Sequence, residues 1–181
     1  MLSCTKIVKK KILDLYKHNI VIHASDLPKG KGFTPLKWQI LEGENDIPIT
    51  LFEAVEAMDA GKYYFKDYIH FDGHELLEEL HTKLGEKVCQ MAIRYVNECD
   101  NLVGIEQQGD ETTYRRITHE DDELDINKTI KDQFNHFRIA DNDRFPLWFC
   151  YKGHEYILRI TKKITYFSYK KRHYLLSHLV L

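Results

Sequence analysis

The sequence predicts an α/β domain carrying a small α+β appendage. Apolar residues at three-to-four-residue spacing alternate with β-branched runs through the first hundred residues. Beyond about Cys99 the chain turns polar and acidic, then resumes as one short helical pattern and one hairpin pattern. At 181 residues, 43% apolar and 30% charged, the chain holds enough apolar material for one core under a charged surface.

The elements follow in order. "KIVKKKILDLY" places Ile7, Val8, Ile12, Leu13 and Tyr16 on one helical face, with lysines on the other. "NIVIH", from Asn19 to His23, has the β-branched run of a buried strand. Thr34 ahead of Pro35 makes an N-cap and N1 pair for the short helix "PLKWQILEG", which stops at Gly43. "IPITLFEA" and "YYFKDYIHF" read as strands, the second with imperfect alternation. The longest helix is "DGHELLEELHTKLGEKVCQMAIRYVNE". There Leu76, Leu77, Leu80, Leu84, Val88, Met91, Ala92 and Tyr95 recur at helical spacing, and Asp72 is placed to cap the start. Residues 104–126 are polar and include an acidic cluster from Glu120 to Asp125. "NKTIKDQFNHFRIAD" then reads as a helix directing Ile130, Phe134, Phe137 and Arg138 inward, and "LWFCYKGHEYILRI" as a β-hairpin turning at Lys152-Gly153.

Charge and composition narrow the function classes. Lys and Arg number 26 against 28 Asp and Glu, so no whole-molecule field calls for nucleic acid or an anionic membrane. No apolar run approaches a membrane span, and the N-terminus interleaves lysines with apolar residues, unlike a signal peptide. A cytoplasmic protein is the expectation. Cys4, Cys89, Cys99 and Cys150 are scattered without a CxxC pair, the pattern of reduced, buried thiols.

The chemistry concentrates at two positions. In "VIHASDLPKGKGFTP" a strand delivers His23 to the mouth of a loop rich in turn residues, where catalytic groups tend to be held. In "EAMDAGKYY" Asp59 follows another strand and precedes a glycine. Both are expected at the carboxyl edge of one sheet, where open α/β folds place ligands. An imidazole held by a carboxylate is a general base whose cationic form is stabilised, which suits acyl transfer to an amine.

Other clusters are read more plainly. His74, Glu78 and His81 have spacings that share a helical face, with His70 and Glu75 nearby. They fit no standard metal motif, and an exposed polar helix face accounts for them better. The "PKGKG" loop matches neither phosphate-loop spacing and reads as a tight turn. The tail carries Lys162, Lys163, Lys170, Lys171 and Arg172 among Tyr166, Phe167, Tyr169 and Tyr174. That is a composition on which single-stranded nucleic acid can stack, but a solvated terminus is the stronger reading. Arg115 and Arg116, beside Tyr114, either contact a phosphate or pair with the acidic cluster that follows.

The stretch "HASDLPKGKGFTPLKWQILEGENDIPITLFEAVEAMDAG" resembles the core of the formyltransferases that use 10-formyltetrahydrofolate. That family includes enzymes formylating methionyl-tRNA and enzymes formylating nucleotide-linked amino sugars. Its histidine-loop and aspartate-turn signature falls on His23, Ser25, Pro28, Gly32, Asp59 and Gly61, and the likeness runs from about Leu2 to Ile160. Two positions depart from the family pattern. Val21 stands where the family carries an amide, and Lys62 closes the turn where it carries a second aspartate.

The resemblance implies a partial Rossmann-like formyltransferase domain with a small α+β C-terminal subdomain. Residues 1–103 are then the C-terminal part of the catalytic domain, whose first strands are expected to be missing. Residues 104–160 are a linker and C-terminal subdomain, and 161–181 an unmatched basic tail. The implied reaction moves a formyl group from 10-formyltetrahydrofolate to the amine of a nucleotide-linked amino sugar. The implied catalytic residues are His23 and Asp59. Ser25, Asp59, Ala60 and Gly61 would meet the folate, and Arg115 and Arg116 the acceptor. No metal, membrane or nucleic-acid partner is implied, and assembly as a homodimer is left open. The alternative is a truncated, non-catalytic remnant or binding subunit.

Overall fold

Strand β3 (Asp46–Glu53) is the centre of the structure because both of its faces are covered. A computed structural model describes residues 8–163. Strands β1 (Ile20–His23) and β4 (Tyr63–His70) flank β3, and both run antiparallel to it. Ile47, Ile49 and Leu51 of β3 enter the main core with Ile40 of helix α2 (Pro35–Leu41) and Leu80, Met91 and Tyr95 of helix α3 (Leu77–Glu98). Phe52 and Thr50 are buried on the opposite face, where the Thr50 hydroxyl donates to the Ser25 carbonyl at 2.6 Å. β1 pairs only with β3 among the described strands. It is therefore half-buried along its length rather than a fully buried strand.

Several local expectations give way to tertiary context. Helix α1 (Lys10–Leu13) is a single turn. Thr34 does precede α2, but in the left-handed region at φ +47°, and its side chain makes no capping bond. Helix α3 begins five residues after Asp72. Glu79 accepts the Leu76 N–H at 2.9 Å, while the Glu75 carboxylate collects the N–H groups of Asp72, Gly73 and His74. Asp72 is therefore not the cap. A two-residue parallel ladder joins β2 (Lys31–Gly32) to β5 (Thr113–Tyr114). Pieces so short carry no periodicity to read.

A second, smaller core forms from Leu124, Phe137, Ala140 and Leu147, with Phe134, Phe149, Leu158 and Ile160 packed around it. Helix α4 (Phe134–Ile139) buries Phe137 and Arg138 as the pattern requires. Ile130 lies in the turns before α4 and is 70% exposed, so it does not face inward. Strands β6 (Leu147–Tyr151) and β7 (His154–Leu158) pair through a two-residue turn. Lys152 and Gly153 both have positive φ there, the backbone that a tight hairpin needs. Cys89 and Cys150 are exposed, not buried as expected. Most of the basic tail lies outside the described residues. No helix among them is long and apolar enough to cross a membrane.

Candidate active site

β1 sets the site through its alternation. Ile20 and Ile22 pack against the main core, so Val21 and His23 project from the other face. The His23 ring is nearly buried, and its Nε2 lies 3.0 Å from the Gly30 carbonyl oxygen. A carbonyl only accepts, so Nε2 carries a proton in this arrangement. Val21 adds no donor beside it. The Asn19 amide is occupied further back, donating to the Leu13 carbonyl at 2.9 Å, so it does not take Val21's place.

Asp59 reaches the same place by a different route from the expected shared edge. β1 and β3 are antiparallel and pair Ile20 with Glu53, so the end of β3 lies away from His23. The connection to β4 instead folds back and brings an Asp59 carboxylate oxygen to 3.9 Å from His23 Nε2. That same oxygen accepts the Gly32 N–H at 2.9 Å. The turn demands Gly61. A β-carbon there would collide with both the oxygen and the carbon of the Glu53 carbonyl. Gly61→Ala is expected to cost about 1–3 kcal/mol of stability, read from denaturant midpoints, because that backbone group cannot swing aside as a side chain would. Gly32 is similarly constrained, with φ +95° and the Tyr114 carbonyl where a side chain would begin.

The remaining sequence candidates separate. Ser25 is buried beneath the loop, and its hydroxyl has no partner among the described residues. Ala60 is partly exposed at the Asp59 turn. The Arg115 fork is taken by Asp121, with one N–O distance of 2.6 Å, and holds that carboxyl at about 2. Its guanidinium also lies 4.8 Å over the Trp38 ring. Of the two readings for Arg115, pairing with the acidic cluster is the one that the structure places. Arg116 stacks 4.0 Å over Phe33 and makes no ion pair among the described residues. The histidines do not converge either. His70 binds Asp46, and His74 precedes helix α3 and meets Lys162. His81 is exposed, in the field of Lys37, Asp141 and Arg144. Nor does the "PKGKG" loop offer a phosphate cradle. Its Gly30 and Gly32 N–H groups go to Thr112 and Asp59, and Lys31 pairs with Glu111 at 2.8 Å.

Sequence reasoning missed Gln107 and Thr112. Gln107 Nε2 donates to the Asp59 carbonyl at 2.9 Å and the Gly61 carbonyl at 2.8 Å, and the Thr112 hydroxyl accepts the Gly30 N–H at 2.8 Å. Both sit in a polar stretch whose only visible feature is polarity.

Comparison with known proteins places these residues in context. The family described as formyl transferase matches residues 1–96, more than half of the chain. Methionyl-tRNA formyltransferase from Mesoplasma florum is 33% identical over 155 residues, covering 82% of this chain and 48% of that protein. The chain spans about two fifths to one half of the length of the curated relatives it matches. Methionyl-tRNA formyltransferase from Clostridium thermocellum superposes with a TM-score of 0.74 at 19% identity, over 90% of this chain and 71% of that one. A formyltransferase from Anoxybacillus kamchatkensis was solved with UDP-4,6-dideoxy-4-formamido-L-AltNAc and tetrahydrofolate. It gives a TM-score of 0.55 at 20% identity over 62% of this chain and 61% of its own. The low identities show the fold, a partial Rossmann-like formyltransferase domain, and the family-matched segment contains both the His23 loop and the Asp59 turn. This chain belongs to the formyl transferase family.

Proposed function

We propose that the chain transfers a formyl group from 10-formyltetrahydrofolate to a primary amine, with His23 and Asp59 at the centre. The observation that carries this reading is the His23–Asp59 pair at 3.9 Å, brought together by the segments that follow the antiparallel strands β1 and β3. The folate, as substrate, supplies an electrophilic formyl carbon. The residues present fit that chemistry. His23 has its Nε2 committed to the Gly30 carbonyl, Asp59 is fixed by a backbone donor, and the Ser25 hydroxyl has no partner among the described residues. The amine attacks the formyl carbon as His23 takes its proton at Nδ1 and Asp59 steadies the imidazolium; the bond from the formyl carbon to folate N10 then breaks and the imidazolium returns the proton to N10. Ala60 and Gly61 present backbone at the same turn for the folate.

For the acceptor we place a nucleotide-linked 4-amino-deoxysugar first, of the kind consumed in surface polysaccharide. The UDP-sugar complex of the Anoxybacillus neighbour supports it. On this reading Arg116 meets the nucleotide and the reaction is cytoplasmic. The catalytic unit is 1–103, and the second core belongs to a 104–160 subdomain. Methionyl-tRNA is the second reading, favoured by the sequence relatives. The test incubates the full chain with 10-formyltetrahydrofolate and each acceptor and weighs the products by mass spectrometry. A formamido sugar nucleotide is expected. Formylmethionyl-tRNA alone would overturn the sugar assignment, and neither product would leave the binding-subunit alternative standing.

A further inference from the structure

The two loops that carry His23 and Asp59 meet each other directly through the Gly32 N–H and the near approach of the two side chains. What binds them together otherwise is one length of chain, residues 105–115, which lies beyond the family-matched segment. Ile105 exchanges two backbone hydrogen bonds with Tyr63, at 2.8 and 2.9 Å. Gln107 grips the Asp59 turn, Thr112 grips Gly30, and β5 pairs with β2. The strap thus fastens to both loops within eleven residues.

Gln107 is its working part. Asp59 sits in the left-handed region at φ +51°, which aspartate visits more readily than most residues but which still costs energy that surrounding contacts can offset. The Gln107 amide bonds the carbonyls on either side of Ala60 and so clamps the turn at two points. Both partners only accept, which fixes Nε2 toward the turn and turns Oε1 away. Oε1 is then buried without a partner among the described residues, a cost that an amide used merely to fill space would not carry. Thr112 complements it on the other loop. It accepts the Gly30 N–H, and the carbonyl of the same residue holds His23 Nε2.

We propose that Gln107 is a positioning residue. It holds the 59–61 turn so that the Asp59 carboxylate stays on the Gly32 N–H and beside His23. Its role in turnover rests on the formyl-transfer reading, but its role in geometry does not. The test uses the full chain and two substitutions, Gln107→Met, which keeps the length, and Gln107→Glu, which keeps the shape but lacks the N–H donor. In each folded variant kcat should fall about 10²-fold with KM within about twofold, as expected for a misplaced catalytic group. In an Asp59→Asn background the same substitutions should cost less than about twofold more, because Gln107 acts through Asp59.

The second readout needs no turnover. The Gly32 amide proton resonance should move in Gln107→Met in the direction it moves in Asp59→Ala. If wild type shows no turnover, this resonance alone decides, and the formyl-transfer reading fails separately. Unchanged kcat, multiplicative losses in the Asp59→Asn background, or an unmoved Gly32 amide in either folded variant would each overturn the proposal. Should Gln107→Met not fold, Gln107→Glu carries both readouts.

Discussion

His23→Ala is expected to lower kcat for formyl transfer by about 10²–10⁴-fold, the range for losing a general base. The ring is nearly buried, with its Nε2 facing both the Gly30 carbonyl and the Asp59 carboxylate. The substitution leaves the core untouched, because His23 projects from the face opposite Ile20 and Ile22. Stability should therefore stay within about 1 kcal/mol of wild type. The measurement is steady-state kinetics beside a denaturant melt. Turnover within twofold of wild type in a folded variant would remove His23 from the mechanism.

The largest expected effect on folding belongs to Glu75. This carboxylate is 2% exposed and meets the 1% exposed Arg138 of α4 at 3.5 Å and Lys83 of α3 at 2.6 Å. It links the start of α3 to the second core. Burial would raise its pKa, but Lys83 and the backbone donor of Asp72 outweigh burial and hold it at about 2, against an ordinary 4.5. A depressed folded-state pKa stabilises the fold above the unfolded value and loses that contribution as pH falls through the folded one. About 3 kcal/mol should thus disappear between pH 4.5 and 2, and Glu75→Gln should remove most of that dependence. Glu75→Ala strands a buried guanidinium and should cost about 3–5 kcal/mol at neutral pH. Denaturant melts across pH check both. A Glu75→Gln profile parallel to wild type would show that the acid sensitivity arises elsewhere.

The legible parts of the sequence were those with a local cause. The apolar spacing of Leu80, Met91 and Tyr95 marked α3, and Lys152-Gly153 between two short runs marked the hairpin. The histidine at the end of a β-branched run located the candidate site. What stayed hidden was set by tertiary contact. The antiparallel course of β3 beside β1 cannot be read from either strand. Asp59 arrives at His23 only because its connection folds back over the sheet. Gln107 meets the Asp59 turn across 48 residues of chain. Ile130 and Asp72 erred in the other direction. Their local patterns were sound, but the helices start after them. Arg115 had two partners open to it, and only the fold shows Asp121 in its fork.

The most direct test of the account is a thermal melt of the full chain with 5-formyltetrahydrofolate, a stable stand-in for the formyl donor. If the His23 loop, the Asp59 turn and the strap form a folate site, ligand at 100 times its Kd should add about 2.7 kcal/mol. For a chain of this size that raises Tm by roughly 5–10 °C. The same shift should be at least halved in Gly61→Ala, whose turn cannot close. A cooperative transition that stays in place at saturating ligand would contradict the central claim that this chain assembles a formyl-donor site.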